Sequence, residues 1–137
     1  MALFQWDVRV YYEDTGSGGV VYYANYLRFM ERARTEWMRS LGFEQDRLLA
    51  EQGLLFAVRA MSIDYLRPAR FNDRLNVTVA VRQRGRASLT LEQSVLRHGE
   101  SAAALCSGTV KIACIEAATF RPKPIPDNIL KEIINGG

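Results

Sequence analysis

The spacing of apolar residues changes along the chain, and each change predicts a different element. Between Phe4 and Tyr12 apolar and polar residues alternate, which is the period of a half-buried strand. From Tyr22 to Leu41 the apolar residues recur at three- and four-residue steps, with arginines and glutamates mostly between them. This pattern predicts an amphipathic core helix of about 16–20 residues. Gly42, directly after the stripe, suits a left-handed helix C-cap.

The remainder of the chain is predicted to be mainly β-strand. A shorter helix is predicted in "EQDRLLAEQG", ending at Gly53, and Asp127 is a plausible N-cap for a last short helix over Asn128–Ile134. "HGE" (His98–Glu100) reads as a hairpin turn. Four strands are predicted between these features, in this order: Leu54–Leu66, Leu75–Val81 with its continuation to Gly85, Ser88–Arg97 and Ala102–Ile115.

One strand, a long helix and four more strands predict an α+β domain that spans residues 1–137. Strands joined by short turns pair antiparallel, and the long helix is the only element large enough to cover the sheet. We therefore expect a five-stranded antiparallel sheet wrapped around one central helix. The other face of the sheet and its edge strands also carry apolar residues. This additional apolar surface favours dimerisation.

Composition narrows the class of protein. No apolar run in the 137 residues approaches the roughly 20 needed to cross a membrane, and the N-terminus lacks the pattern of a signal peptide. Cys106 and Cys114 lie in one extended segment, about 26 Å apart, too far for a disulfide. Reduced, buried thiols and a cytoplasmic location are expected. With one histidine and no Cys-x-x-Cys, no structural zinc site is expected.

The net charge of +3 comes from arginine rather than lysine. "LRPARFNDR" (66–74) and "RQRGR" (82–86) hold six arginines between them. Two interpretations remain open, a solvated rim and a site for an anionic ligand, since arginine binds phosphate through a planar fork. A nucleic-acid surface is disfavoured because no nucleic-acid motif accompanies the charge.

The stretch "YYEDTGSGGVVYYANY" (11–26) places a glycine-rich loop before the long helix. It is not a phosphate loop, since it has no lysine, and no βαβ unit surrounds it as a dinucleotide site requires. A nucleophile elbow needs Gly-x-Ser-x-Gly, whereas Ser17 has Thr15 two positions before it and only the distant His98 as a base. His98, alone in its turn, is also a poor candidate for the base that a dehydratase requires.

The loop combines a tight glycine turn with the N-terminus of the long helix. Gly18 and Gly19 allow a tight turn and a close approach to a ligand. The helix that follows presents free N–H groups and its positive dipole end, which can polarise a carbonyl or stabilise an oxyanion. The nearby acids are Glu13 and Asp14, and Asp14 is expected to brace the loop by accepting backbone N–H bonds.

Four segments together resemble the 4-hydroxybenzoyl-CoA thioesterase family of the hotdog fold. They cover nearly the whole chain: "VRVYYEDTGSGGVVYYANYLRFMERARTEWMRSLG" (8–42), "FAVRAMSIDYLRPARFNDRL" (56–75), "GRASLTLEQ" (85–93) and "KIACI" (111–115). The resemblance implies a central helix in a curled antiparallel sheet, acyl-CoA thioester hydrolysis, and a homodimer or homotetramer with sites built across the interface. It implies no organic cofactor and no metal.

The resemblance also implies roles for residues of the loop. The family pattern Asp-x-Asp-x-x-Gly, followed by a hydrophobic pair, places its first acid on Asp14, its glycine on Gly19 and the pair on Val20 and Val21. Its second acid, the catalytic carboxylate, falls on Gly16 and is missing. The backbone N–H that polarises the thioester carbonyl maps to Tyr23. The phosphates of coenzyme A map to Arg84, Arg86 and Ser88.

The missing carboxylate leaves alternatives open. The chain is an altered thioesterase, a variant that uses Asp14, Glu13 or a water held by Ser17, or a non-hydrolytic binder of acyl-CoA or acyl carrier protein. Glycine can neither activate water nor attack the acyl carbon, so activity impaired by Gly16 is expected.

Overall fold

A computed structural model describes residues 3–100 and 103–136 of the chain. Its elements run in the order expected of one strand, a long helix and four strands. They are β1 (Phe4–Arg9), α1 (Tyr23–Ser40), α2 (Gln45–Gln52), β2 (Leu54–Tyr65), β3 (Arg74–Arg84), β4 (Ser88–Arg97), β5 (Cys106–Glu116) and α3 (Asp127–Gly136).

All five strands form one antiparallel sheet in the order β1-β3-β4-β5-β2. β2 therefore pairs with β5 and not with β3, its successor in the chain. The two edges of the sheet are β1 and the 12-residue β2. The α+β class and the five-stranded antiparallel sheet are confirmed.

The helix α1 is the core helix that its periodicity predicts. It buries Tyr26, Phe29, Met30, Ala33 and Trp37, and packs mainly on β3, with further contacts to β1 and β4. The facing strands contribute Leu75, Val77, Val79, Val81, Leu89, Leu91 and Val95, all at most 3% exposed. Burial of this apolar surface is the main stabilising term of the domain.

One buried polar residue, Gln93, joins the helix α1 to the sheet. Gln93 on β4 is 0% exposed and its amide donates to the carbonyl oxygens of Met30 and Thr78. Its Oε1 accepts from Nη1 of Arg34 at 2.9 Å. Burial lowers the pKa of Arg34, and the hydrogen bond to Gln93 compensates part of the guanidinium's lost hydration.

Several predicted boundaries shift. β1 ends at Arg9, because residues 12–14 form a 3₁₀ turn. β5 begins at Cys106, and the predicted start at Ala102 lies outside the described residues. Asp127 is the first residue of α3 rather than its cap. The left-handed conformation predicted for Gly42 is present, with φ of +94°, and α2 ends before Gly53, which is also left-handed with φ of +66°.

Both cysteines are buried and unpaired, as expected. Burial raises the pKa of the Cys106 thiol to about 12 and also raises that of Cys114. Neither thiol is therefore a nucleophile at neutral pH. Among the described residues no helix has the length and apolar character to cross a membrane.

Candidate active site

Residues 15–21 form a small hairpin in front of α1. Thr15 and Val21 form an antiparallel bridge, and the Gly16 N–H donates to the Val20 carbonyl at 2.9 Å. The hairpin is fixed to the segment between β2 and β3, since Val20 bridges Arg70 and the Val21 N–H donates to the Ala69 carbonyl at 2.8 Å. Val20 and Val21 thus position the loop through their backbones.

The tip of the hairpin requires two residues in the left-handed backbone conformation, and both are glycines. Gly18 and Gly19 have φ of +85° and +75°, in the left-handed region that favours glycine. Gly16 differs, because its φ of −109° and ψ of −155° suit any residue. A Cβ added at Gly16 would meet only the Cβ of Tyr22, at 4.0 Å. The backbone therefore does not require glycine at position 16.

The N-terminus of α1 is open. Tyr23 is the first helical residue, and the N-cap residue Tyr22 makes no side-chain cap hydrogen bond. As the first residue of the helix, Tyr23 has no intrahelical acceptor for its backbone N–H. This donor and the positive end of the helix dipole are the features that can polarise a carbonyl oxygen.

Asp14 ties the loop to α1. Its side chain is 8% exposed, with Oδ2 accepting from the Tyr11 N–H and Oδ1 accepting from Nδ2 of Asn25, both at 2.9 Å. Its carbonyl oxygen accepts from the Tyr22 N–H at 2.9 Å. Both carboxylate oxygens thus brace the loop; one donor is a backbone N–H, as the sequence predicts, and the other is the Asn25 side chain.

Aromatic side chains border the open helix end. The Tyr23 ring lies 4.8 Å from that of Tyr22 and 5.8 Å from that of Tyr65 at the end of β2. Tyr26 lies behind them, and its hydroxyl accepts from the Ala69 N–H at 2.9 Å. Burial raises the pKa of Tyr26 and of Tyr65 above the ordinary value. These phenols therefore stay protonated at neutral pH and are not general bases.

The predicted phosphate-binding residues lie far from this loop within one chain. Arg84 ends β3, Ser88 begins β4, and exposed Arg86 lies in the turn between them. The loop side is attached at the other end of β3, where the Val10 N–H donates to the Asp73 carbonyl. Ten strand steps from Arg74 to Arg84 span about 33 Å. The chain does not bring the two groups together by itself.

Comparison with known proteins identifies the family. Residues 18–104 match the thioesterase superfamily, which is more than half of the chain. The chain belongs to the thioesterase superfamily. It is 44% identical over 126 residues to the acyl-CoA thioesterase YbgC of Haemophilus influenzae, covering 92% of this chain and 90% of that protein.

Two further relatives agree in sequence and in fold. The Escherichia coli acyl-CoA thioester hydrolase YbgC is 39% identical over 130 residues, covering 95% of both chains. The crystal structure of a probable thioesterase from Bartonella henselae superposes with a TM-score of 0.83 at 37% identity, covering 91% of this chain and 100% of that one. The hotdog fold expected from the resemblance is thus confirmed.

Three further residues named from the sequence could take part in acid–base chemistry: Glu13, Ser17 and His98. Glu13 and Ser17 are exposed, and His98 lies exposed in the turn after β4. No group of three or more His, Cys, Asp or Glu residues within the described ranges is placed to hold a metal ion. The roles assigned to Gly16, Tyr23, Asp14, Gly19, Val20, Val21, Arg84, Arg86 and Ser88 stay predictions.

Sequence reasoning missed three contributors to this site. Asn25 is buried and holds the Asp14 carboxylate, Tyr65 reaches the helix end from β2, and residues 69–70 pair with the loop. Only Asn25 leaves a local signal, since asparagine in the first turn of a helix favours side-chain hydrogen bonding over helix propagation. The other two contacts arise from the topology of the sheet.

We expect Asp14→Ala to lower the free energy of unfolding by about 2–3 kcal/mol, because it leaves the Asn25 amide and the Tyr11 N–H without their acceptor. The adjacent acid gives a matched control: Glu13 is exposed, and Glu13→Ala should change stability by less than about 0.5 kcal/mol. Urea denaturation of both variants measures the difference. Equal stabilities would show that Asp14 does not brace the loop.

Proposed function

We propose that the chain hydrolyses acyl-CoA thioesters to the free acid and coenzyme A. The observation that carries the proposal is the uncapped N-terminus of α1, placed behind a glycine hairpin in a chain that belongs to the thioesterase superfamily. The curated relatives at 44% and 39% identity are named as acyl-CoA thioesterases, which supports this substrate class.

The chemistry at the helix end follows from its donors. The thioester carbonyl oxygen accepts the Tyr23 N–H, and the helix dipole stabilises the negative charge that develops when water adds to the carbonyl carbon. Such a donor contributes on the order of 3–4 kcal/mol to transition-state stabilisation. The carbon–sulfur bond then breaks, the acyl group keeps the water oxygen, and the thiolate of coenzyme A takes a proton.

The step that lacks a residue is activation of the water. Gly16 offers no carboxylate, and both oxygens of Asp14 already accept hydrogen bonds. This combination favours a slow hydrolase. It also supports a second candidate function, a binder of acyl-CoA or acyl carrier protein that retains the carbonyl donor and the binding surface but does not turn over.

The proposed assembly is a dimer through the β2 edge. Within the described residues, β2 has a strand partner on one side only, and Val58 on it is 51% exposed. A second β2 that pairs antiparallel would continue the sheet and protect this edge. It would also place the start of one β2, which only β5 separates from the Arg84–Ser88 turn, beside the end of the other β2, where Tyr65 contacts Tyr23. Two dimers packed as a tetramer are compatible with this arrangement.

A thiol-release assay tests the proposed function. We expect slow, saturable release of coenzyme A from the unaltered chain with short, long or aromatic acyl-CoAs. Calorimetry on the same substrates separates the two candidates. Saturable binding without release after long incubation would favour the binder, and neither binding nor release would reject both. Acyl carrier protein thioesters in the same assay test the alternative partner.

A further inference from the structure

A cleft of about 490 Å³ lies beside the proposed active-site loop, and nothing in the proposed reaction yet uses it. We call it the aromatic cleft, and its wall includes Arg9, Tyr11, Tyr12, Glu13, Phe71 and Asn72. Tyr11, Tyr12 and Phe71 are 60%, 75% and 40% exposed. Three large aromatic side chains exposed in one place are unusual for a surface without a binding role.

The rings of the aromatic cleft are held in place. Tyr12 and Phe71 stack with ring centroids 3.8 Å apart and planes 7° from parallel. The Phe71 N–H donates to the Gly19 carbonyl at 3.3 Å, and the Tyr11 N–H donates to the Asp14 carboxylate at 2.9 Å. The stack is therefore fixed to the same loop that precedes α1, and one face of the Tyr12 ring is free.

A cation is fixed at the edge of this stack. Nη1 of Arg9 donates to the carbonyl oxygen of Asn72 at 3.1 Å and to its Oδ1 at 3.3 Å. Asn72 itself has a φ of +71°, which is uncommon outside glycine. The other guanidinium donors of Arg9 make no hydrogen bond or ion pair within the described residues. They can bind a phosphate oxygen.

We propose that the aromatic cleft binds the purine base of coenzyme A by stacking on Tyr12, with Arg9 at an adjacent phosphate. This rests on the proposed function, since it concerns the same thioester substrate. A flat, open aromatic face suits a planar base, which stacks without needing an enclosed pocket. An open cleft covers an alkyl chain only in part, so such a chain gains less from burial here than in a closed apolar cavity. The diphosphate remains available to the Arg84–Ser88 turn of a second copy.

Binding of the nucleotide alone tests the subsite without hydrolysis. Calorimetric titration with adenosine 3′,5′-bisphosphate should give a Kd that rises on the order of tenfold in Tyr12→Leu, because the stacking face is lost. Tyr12→Phe keeps the ring and should keep the affinity. Phe120→Leu is the matched control, since Phe120 is 72% exposed and lies in the turn after β5. An unchanged Kd in Tyr12→Leu would overturn the proposal.

Hydrolysis assays distinguish a contact with the purine base from a contact with the acyl group. In a Gly16→Asp background, Tyr12→Leu should raise KM about tenfold for an acyl-CoA and leave KM unchanged for the N-acetylcysteamine thioester of the same acid. An equal rise for both thioesters would overturn the proposal, because the cleft would then contact the acyl or thioester end. Tyr12-dependent binding of the bisphosphate without hydrolysis of any thioester would support the subsite and reject the proposed function.

Discussion

Gly16→Asp should raise the rate of acyl-CoA hydrolysis by about 100-fold or more, because it adds a carboxylate beside the open end of α1. A positioned general base typically contributes about 10² to 10⁴ in rate. The backbone accepts the change, since Gly16 has a negative φ and the new Cβ has only an ordinary contact at 4.0 Å. The gain should appear in kcat, because the carboxylate acts on water in the transition state.

Two matched variants separate the carboxylate from other effects. Gly16→Asn adds a side chain of the same shape without a base and should leave the rate near that of the unaltered chain. Ser17→Asp places the acid one residue further along the exposed hairpin and should give little gain, since catalysis depends on position. A folded Gly16→Asp protein that binds acyl-CoA but shows no gain would reject the assignment of position 16.

Much of the fold is predictable because local pattern and burial agree. The stripe from Tyr26 to Trp37 is buried as its spacing predicts, and the alternation of Leu75 to Val81 matches the buried face of β3. Tyr22 belongs to the same stripe but is 52% exposed, because it precedes the helix and lies at its open end. The pairing of β2 with β5 has no local signal, since it depends on the path of the chain from residue 66 to residue 73.

The candidate site is only partly predictable for a similar reason. The glycine turn and the bracing role of Asp14 follow from local chemistry, because a turn needs positive φ and a buried carboxylate needs donors. The contacts of Tyr65 and Ala69 with α1 join residues about forty positions apart in sequence, so no pattern within the loop contains them. The wide separation of the loop and the arginine turn also becomes visible only once β3 is placed between them.

Removal of the arginines at the turn between β3 and β4 should weaken the binding of acyl-CoA. Arg84 and the loop are attached at opposite ends of β3, whose ten steps span about 33 Å, which favours a site that draws its arginines from a second copy. In the dimer proposed through β2, each site would combine the loop of one copy with the arginine turn of the other. Arg84→Ser together with Arg86→Ser, in a Gly16→Asp background, should raise KM for acyl-CoA on the order of tenfold or more through lost phosphate contacts.

Mixed dimers show whether the arginines at a site come from the second copy or from the copy that supplies the loop. The triple variant and the unaltered chain, co-expressed with different affinity tags and purified on both, form a dimer in which the added carboxylate and the intact arginine turn belong to different copies. If the site is shared, this dimer should regain the low KM of Gly16→Asp, with turnover at one of its two sites.

If each copy instead supplied its own arginines, the mixed dimer would keep the high KM of the triple variant. Arg47→Ser with Lys131→Ser is the matched control, because it removes the same charge from two exposed positions on α2 and α3. It should leave KM near that of Gly16→Asp, since neither residue lies at the turn. A rise in KM equal to that of the arginine pair would show that net charge, rather than the Arg84–Ser88 turn, attracts the substrate.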